Sequence, residues 1–171
     1  MKRLIMNPVT MALLGAGSGA MIRFADYCNP LFEDLSQRVM VWALICILIT
    51  LNSDNHIQSA VLNICFFVPN LPARYFVWRA LSESFGGYTP TPKDLLVGSL
   101  LALVAVPPYV FMTEYSKRSG LLPWLSRAGI IILPAVATLI ICGNLHWTDG
   151  VFAAAMVYIV FYRRTGRFYA P

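Results

Sequence analysis

The chain has 171 residues, of which 58% are hydrophobic and only 12% are charged. Soluble domains are typically about 45–50% apolar and about 25% charged, so a water-soluble fold of this length could not bury so much apolar surface. The net charge is +5, but the basic residues stand in short clusters between apolar runs, which argues against a nucleic-acid partner. We therefore expect an integral membrane protein surrounded by the lipid bilayer.

Apolar runs long enough to cross a bilayer recur along the chain. A membrane-spanning helix needs about 20 mostly apolar residues. Six segments fit this length or fall somewhat short of it: roughly 8–27, 38–52, 57–81, 94–114, 128–146 and 149–163. The connections between them leave no room for a soluble domain. Residues 1–171 are therefore expected to form a single transmembrane domain, an all-α bundle of about six helices.

The first segment also has features of a signal peptide, because Lys2 and Arg3 precede an apolar stretch with small residues near its end. Glycine interrupts the apolar core, however, and five further segments follow. We interpret it as a retained first helix.

The distribution of Lys and Arg predicts the orientation of the segments, because short cytoplasmic loops carry an excess of basic residues. With the N-terminus in the cytoplasm, eight basic residues lie on that side: Lys2, Arg3, Lys117, Arg118, Arg127, Arg163, Arg164 and Arg167. Only Arg38, Arg79 and Lys93 lie on the other side, and Arg23 and Arg74 lie within segments. Both termini are therefore expected in the cytoplasm, with the protein in a cytoplasmic (inner) membrane.

The first segment places small and charged residues on one helical face. At about 100° per residue, six residues fall within about 60° of one direction: Ala12, Gly15, Ala16, Gly19, Arg23 and Asp26. Small residues spaced by four, here Gly15 with Gly19 and Ala12 with Ala16 and Ala20, let helix backbones approach closely. We expect this face to pack inside the bundle and to carry Arg23 inward. The alternative is that Arg23 snorkels to the outer interface.

The third segment carries a polar line along one side of a continuous helix. Its members are His56, Ser59, Asn63, Asn70 and Arg74. Such a line is costly in lipid unless it faces protein or water, and Pro69 and Pro72 add backbone carbonyls without helical partners. The line is therefore predicted to face the interior of the bundle.

The two intramembrane arginines are expected at a similar depth in the outer half of the membrane. The candidate ligand-binding residues are Arg23, Asp26, Asn63, Asn70 and Arg74. Guanidinium groups hold carboxylate or phosphate in a bidentate fork, so an outward-facing pocket lined by these residues would suit a small anionic molecule. The alternative is a structural ion pair of Arg74 with Asp26 or with Asp149.

The fifth segment ends in "CGNLHWTDG", which allows two interpretations. His146 beside Asp149 could form a pH-sensitive pair. Alternatively, Thr148 or Asp149 caps the next helix.

The sequence carries no catalytic constellation. It has no G-x-S-x-G, H-E-x-x-H or Walker pattern and no paired intramembrane carboxylates. Its four cysteines include no C-x-x-C pair, and the predicted topology puts the two histidines, His56 and His146, on opposite sides of the membrane. We expect no enzymatic activity, no metal site and no cofactor.

The layout of the chain is similar to that of the substrate-binding S components of energy-coupling-factor importers. The likeness rests on length, six spans, basic cytoplasmic ends and the spacing of Ala12, Ala16 and Ala20 in the first helix. It implies that these alanines dock on a transmembrane partner and that a ligand binds near the outer surface.

Together these features predict a membrane protein that binds a small, anionic solute or helps to transport it. The rival hypothesis is a non-catalytic partner subunit or scaffold. In that case the small-residue face with Gly15 and Gly19 would dock another membrane protein or a second copy of the chain.

Overall fold

The computed structural model describes residues 7–29, 38–85, 90–118 and 120–162. Within these ranges every regular element is helical, which confirms the prediction of an all-α protein for this part of the chain. The elements are α1 Pro8–Cys28, α2 Val39–Asn52, α3 His56–Phe85, α4 Pro92–Tyr115, α5 Leu121–Cys142 and α6 Trp147–Val157, followed by a π-helical turn, Tyr158–Tyr162. The basic residues at the two chain ends, which the predicted orientation uses, lie outside the described residues: Lys2, Arg3, Arg163, Arg164 and Arg167.

Three helices in the described ranges, α3, α4 and α5, are long and apolar enough to cross a membrane. Helix α2 is apolar but has only 14 residues, so at about 1.5 Å per residue it is shorter than the roughly 30 Å hydrocarbon core of a bilayer. Helix α1 has 21 residues, but it contains three glycines, Arg23 and Asp26 and is not among the three.

Several polar side chains are fully buried together with the apolar core, and many large apolar side chains are exposed. Thr50, Asn63 and Thr113 are fully buried, whereas Val104 is 71% exposed and Ile140 is 76% exposed. In a soluble domain large apolar residues would fill the core and continuous apolar surface would be rare. The arrangement supports a membrane protein, since lipid makes an apolar exterior favourable.

Local signals set the beginning of two helices. Asn7 accepts a hydrogen bond from the Val9 backbone N–H (2.9 Å) just before Pro8 starts α1. At α4, Pro92 occupies the first turn, and the Asp94 carboxylate accepts from the Thr91 backbone N–H (2.7 Å). Proline needs no hydrogen-bond partner in a first helical turn, and a carboxylate there also complements the helix dipole.

Helix α5 is displaced from the predicted span of 128–146. It begins at Leu121, seven residues earlier, because Pro123 sits in its first turn, where proline is compatible with a helix. It ends at Cys142 because Gly143 adopts a left-handed conformation (φ 73°) that closes the helix.

Contacts between helices show the direction in which each one runs. Asn63 of α3 donates to the Thr50 hydroxyl near the end of α2 (3.1 Å), so these helices are antiparallel across a short connection. The Lys117 ammonium, just beyond α4, donates to the Thr50 carbonyl (3.0 Å), so α2 and α4 end on the same side. Arg127 of α5 donates to the Ser116 carbonyl beyond the end of α4 (3.1 Å). These contacts agree with helices that alternate in direction along the chain.

A tyrosine hydroxyl satisfies a carbonyl that proline leaves without a helical donor. Pro134 in α5 has no N–H, so the Ile130 carbonyl four residues earlier lacks its usual partner. The Tyr109 hydroxyl of α4 donates to this carbonyl at 2.8 Å, and Ile130 is fully buried. The break in α5 is thus compensated by its neighbour, as membrane helices require.

We expect Tyr109→Phe to destabilise the folded protein by about 1–3 kcal/mol, because it leaves a buried acceptor without a partner. The measurement is the free energy of unfolding in detergent. In a Pro134→Ala background the same substitution should cost less, because residue 134 regains an N–H for the Ile130 carbonyl. Equal costs in the two backgrounds would contradict this role of Tyr109. Tyr27→Phe, at a ring that is 50% exposed, serves as the control.

Candidate functional site

The candidate site lies where the face of α1 that carries Gly15 and Gly19 packs against α3. A methyl group added to Gly15 would lie 2.8 Å from the carbonyl carbon of Phe66 and closer still to its oxygen. A methyl group on Gly19 would lie 3.0 Å from the carbonyl carbon of Asn70 and again closer to its oxygen. Only glycine at these two positions permits such an approach, which is the function of small residues in membrane helix pairs.

This packing sets a register that continues to the two arginines. The same offset of 51 residues relates Gly15 to Phe66 and Gly19 to Asn70. Continued by one more step of four residues, it places Arg23 level with Arg74. Since the two helices are parallel, successive steps of four follow the same ridge on each of them. The sequence-based expectation of two arginines at similar depth agrees with this register.

Asp26 lies between the two guanidinium groups. Its Oδ2 is 3.4 Å from Nη1 of Arg23 and 3.6 Å from Nη2 of Arg74. The carboxylate side chain is 1% exposed, whereas the two arginine side chains are 16% and 22% exposed. Both distances exceed the roughly 2.7–2.9 Å of a strong charge-assisted hydrogen bond.

Each arginine of the cluster contacts one aromatic ring. The Arg23 guanidinium carbon lies 4.3 Å from the centroid of the Trp78 ring, and that of Arg74 lies 5.7 Å from the Trp42 ring. Both separations are within the range of cation–π attraction. Toward the ends of α1 and α3, the rings of Tyr27 and Phe85 approach within 5.3 Å of each other. The arginines are thus held in place by α1, α2 and α3 together.

The two candidate asparagines have structural contacts in this arrangement. Asn70 donates through Nδ2 to the Gly15 carbonyl and to the Ser18 hydroxyl, both at 3.0 Å, and so fastens α3 to α1 one turn from the arginines. Asn63 lies 11 positions before Arg74, about 16 Å away along a helix, with Thr50 as a partner. The structure therefore brings together Arg23, Asp26 and Arg74, and it leaves Asn63 apart from them.

The small residues of α1 separate into two groups. Gly15 and Gly19 are buried against α3 of the same chain, whereas Ala12, Ala16 and Ala20 are only half-buried. A partner protein could therefore reach the alanines but not the two glycines. Docking through α1 stays a prediction, with the alanine positions as its accessible part.

A second charged cluster lies at the start of α2 and α6. The Nη1 of Arg38 is 3.1 Å from Oδ2 of Asp149, and both side chains are at least 96% buried. The same nitrogen donates to the Asn144 carbonyl at 3.1 Å. The Asp149 carboxylate also accepts from the His146 backbone N–H at 2.8 Å, so Asp149 caps α6. Its cationic partner is Arg38, and the His146 ring instead lies 3.4 Å from the Thr148 hydroxyl.

Sequence reasoning missed Trp78 and Trp42 and the pairing of Arg38 with Asp149. Trp78 follows Arg74 by four residues and so shares its helical face, a signal that was available. Arg38 and Asp149 both fall on the predicted outer side, but they are separated by 111 residues and no local pattern pairs them. Trp42 gives no signal at all, because a tryptophan near a helix end is explained equally well as an interface anchor.

Among the described residues, no group of three or more His, Cys, Asp or Glu side chains is placed to hold a metal ion. The cluster of Arg23, Asp26 and Arg74 combines two guanidinium groups with one carboxylate. Two guanidinium groups and one carboxylate carry a net charge of +1.

Comparison with known protein families, with curated proteins and with solved structures finds no match for this chain. The similarity of its layout to S components therefore stays a prediction from the spacing of Ala12, Ala16 and Ala20.

Proposed function

We propose that this protein spans the cytoplasmic membrane with six helices and binds a small anionic ligand between Arg23 and Arg74, to hold it or to help move it across. The observation that carries the proposal is the register of α1 and α3, which sets two arginines level with each other around a single carboxylate. The protein acts without catalysis and without a cofactor.

Electrostatics explain why such an arrangement is suited to binding. Two like charges at the same level on neighbouring helices repel each other unless an anion lies between them. Asp26 supplies part of this compensation at 3.4 and 3.6 Å. A ligand carboxylate or phosphate that shortens these contacts gains charge-assisted hydrogen bonds from both arginines, and intramembrane charges of this kind commonly mark solute sites.

The predicted orientation places this site near the outer surface. Asp26 and Arg74 lie toward the C-terminal ends of α1 and α3, and Arg38 and Asp149 lie at the N-terminal ends of α2 and α6. Helices that alternate in direction bring all four residues to one end of the bundle. With both termini in the cytoplasm, that end faces outward.

The test is thermal unfolding of the purified protein in detergent with acetate, inorganic phosphate or glycerophosphoglycerol, each compared with chloride at equal ionic strength. A ligand that binds only the folded state stabilises it, by about 2.7 kcal/mol at a concentration 100 times its dissociation constant. We expect at least one of these anions to raise the unfolding temperature saturably.

Arg74→Gln and Arg23→Gln should each abolish this shift, because glutamine keeps a hydrogen-bond donor but loses the charge. Arg79→Gln is the matched control, since Arg79 lies on the same helix and its side chain is 52% exposed in a pair with Glu83. The proposal is wrong if neither a soluble anion nor an anionic lipid headgroup stabilises the wild type, or if the shift survives in both variants of the site.

A further inference from the structure

We infer that the anion bound between Arg23 and Arg74 is the head of an amphiphile, a phosphodiester lipid with a single negative charge, rather than a freely soluble ion. The inference rests on the proposed function and specifies its ligand class. It follows from the surroundings of the two arginines and from the charge that they carry.

The surface next to the cluster is apolar. Phe24, which follows Arg23, is 58% exposed, and Tyr27, one turn further along α1, is 50% exposed. Phe85, 69% exposed, lies about 16 Å beyond Arg74 along α3, and it reaches this surface through its ring contact with Tyr27. A soluble ion gains nothing from such surroundings, whereas acyl chains gain free energy by covering them.

The aromatic residues also indicate the depth of the site. Trp78 and Trp42 lie against the two guanidinium groups, and the Tyr27 and Phe85 rings meet beyond them. Tryptophan and tyrosine are enriched where lipid headgroups meet hydrocarbon. Two arginines beside such rings indicate a site near the boundary between the hydrocarbon and the headgroups of one leaflet.

The charge of the cluster fits one phosphodiester. Arg23, Arg74 and Asp26 together carry a net charge of +1, and a phosphodiester carries a charge of −1. Its two unesterified oxygens can accept charge-assisted hydrogen bonds from both guanidinium groups. Chemistry and charge thus match a lipid such as phosphatidylglycerol.

The experiment compares three probes by their effect on the unfolding temperature of the full chain in detergent. Dihexanoylphosphatidylglycerol has the anionic head and short chains, glycerophosphoglycerol has the same head without chains, and dihexanoylphosphatidylcholine has the same chains with a zwitterionic head. We expect the first probe to act at a concentration at least about tenfold lower than either of the others, because burying a few methylene groups gives a gain of this size.

Two variants assign the effect to the cluster and to its apolar surroundings. Arg74→Gln should remove the advantage of phosphatidylglycerol over phosphatidylcholine, while Arg79→Gln keeps it. Phe24→Ala should weaken phosphatidylglycerol and leave glycerophosphoglycerol unchanged, since the latter has no chain.

The outcomes separate the inference from the proposed function. If glycerophosphoglycerol or another soluble anion binds as tightly as phosphatidylglycerol in an Arg74-dependent manner, the lipid inference is wrong and the anion site stands. If the two dihexanoyl lipids act alike and Arg74→Gln changes neither, the chains act as detergent and the inference is wrong. If no anion of either kind depends on Arg74, both proposals are wrong.

Discussion

Gly15→Ala and Gly19→Ala are each expected to destabilise the protein by about 1–3 kcal/mol, although alanine is the better helix former. The added methyl would lie 2.8 Å from the Phe66 carbonyl carbon in the first variant and 3.0 Å from the Asn70 carbonyl carbon in the second. Backbone atoms cannot move aside as the tip of a flexible side chain can, so α1 and α3 must separate. The free energy of unfolding in detergent measures the effect.

Gly17→Ala is the matched control, and its expected effect has the opposite sign. Gly17 lies in the same helix between the other two, but a methyl group there would meet nothing within 4 Å. Alanine should therefore stabilise the protein by about 0.5–1 kcal/mol through its helix propensity alone. Equal effects at positions 15 and 17 would show that α1 does not pack on α3 through this face.

The substitutions at Gly19 and Gly17 also connect helix packing with anion binding. Gly19 lies one turn before Arg23 on the α1 ridge, and Asn70 lies one turn before Arg74 on α3. A variant that moves the helices apart at Gly19 should also separate the arginines and weaken the anion-dependent shift. Gly17→Ala should leave that shift intact.

The helical class and the approximate positions of the helices follow from the sequence, because hydropathy depends on each segment alone. The long apolar runs that become α3, α4 and α5 can be recognised from hydropathy in this way. The spacing of Gly15 and Gly19 also indicates a packing face without reference to any partner. Local chemistry is sufficient for these features.

Features that depend on the relative placement of helices were not available from the sequence. The spacing of Gly15 and Gly19 does not tell which helix meets them, so the offset of 51 residues that aligns Arg23 with Arg74 had to come from the structure. The helical wheel also included Ala12 and Ala16 in the packing face, whereas the buried line runs through Met11, Gly15 and Gly19. A small rotation of the helix decides which small residues touch α3. The spacing of glycine and alanine does not fix this rotation, because both residues are small enough for close packing.

The other large effect is expected from the buried pair of Arg38 and Asp149. Arg38→Met should destabilise the protein by about 3–5 kcal/mol, because it leaves a carboxylate buried without its cation. Both side chains are at least 96% buried, and they join the start of α2 to the start of α6. The Arg38 guanidinium also donates to the Asn144 carbonyl, so its loss loosens the connection between α5 and α6 as well.

The exposed pair of Arg79 and Glu83 provides the comparison that isolates burial. Its nitrogen and oxygen are closer, at 2.7 Å against 3.1 Å, yet its side chains are 52% and 54% exposed. Arg79→Met should therefore destabilise the protein far less than Arg38→Met, since water screens the pair and solvates the remaining carboxylate. Adding Asp149→Asn to Arg38→Met should recover part of the loss, because the amide is neutral and its oxygen can still accept from the His146 N–H. If Arg38→Met destabilises the protein no more than Arg79→Met, burial does not increase the contribution of the Arg38–Asp149 pair. In that case α2 and α6 are not joined by a desolvated ion pair.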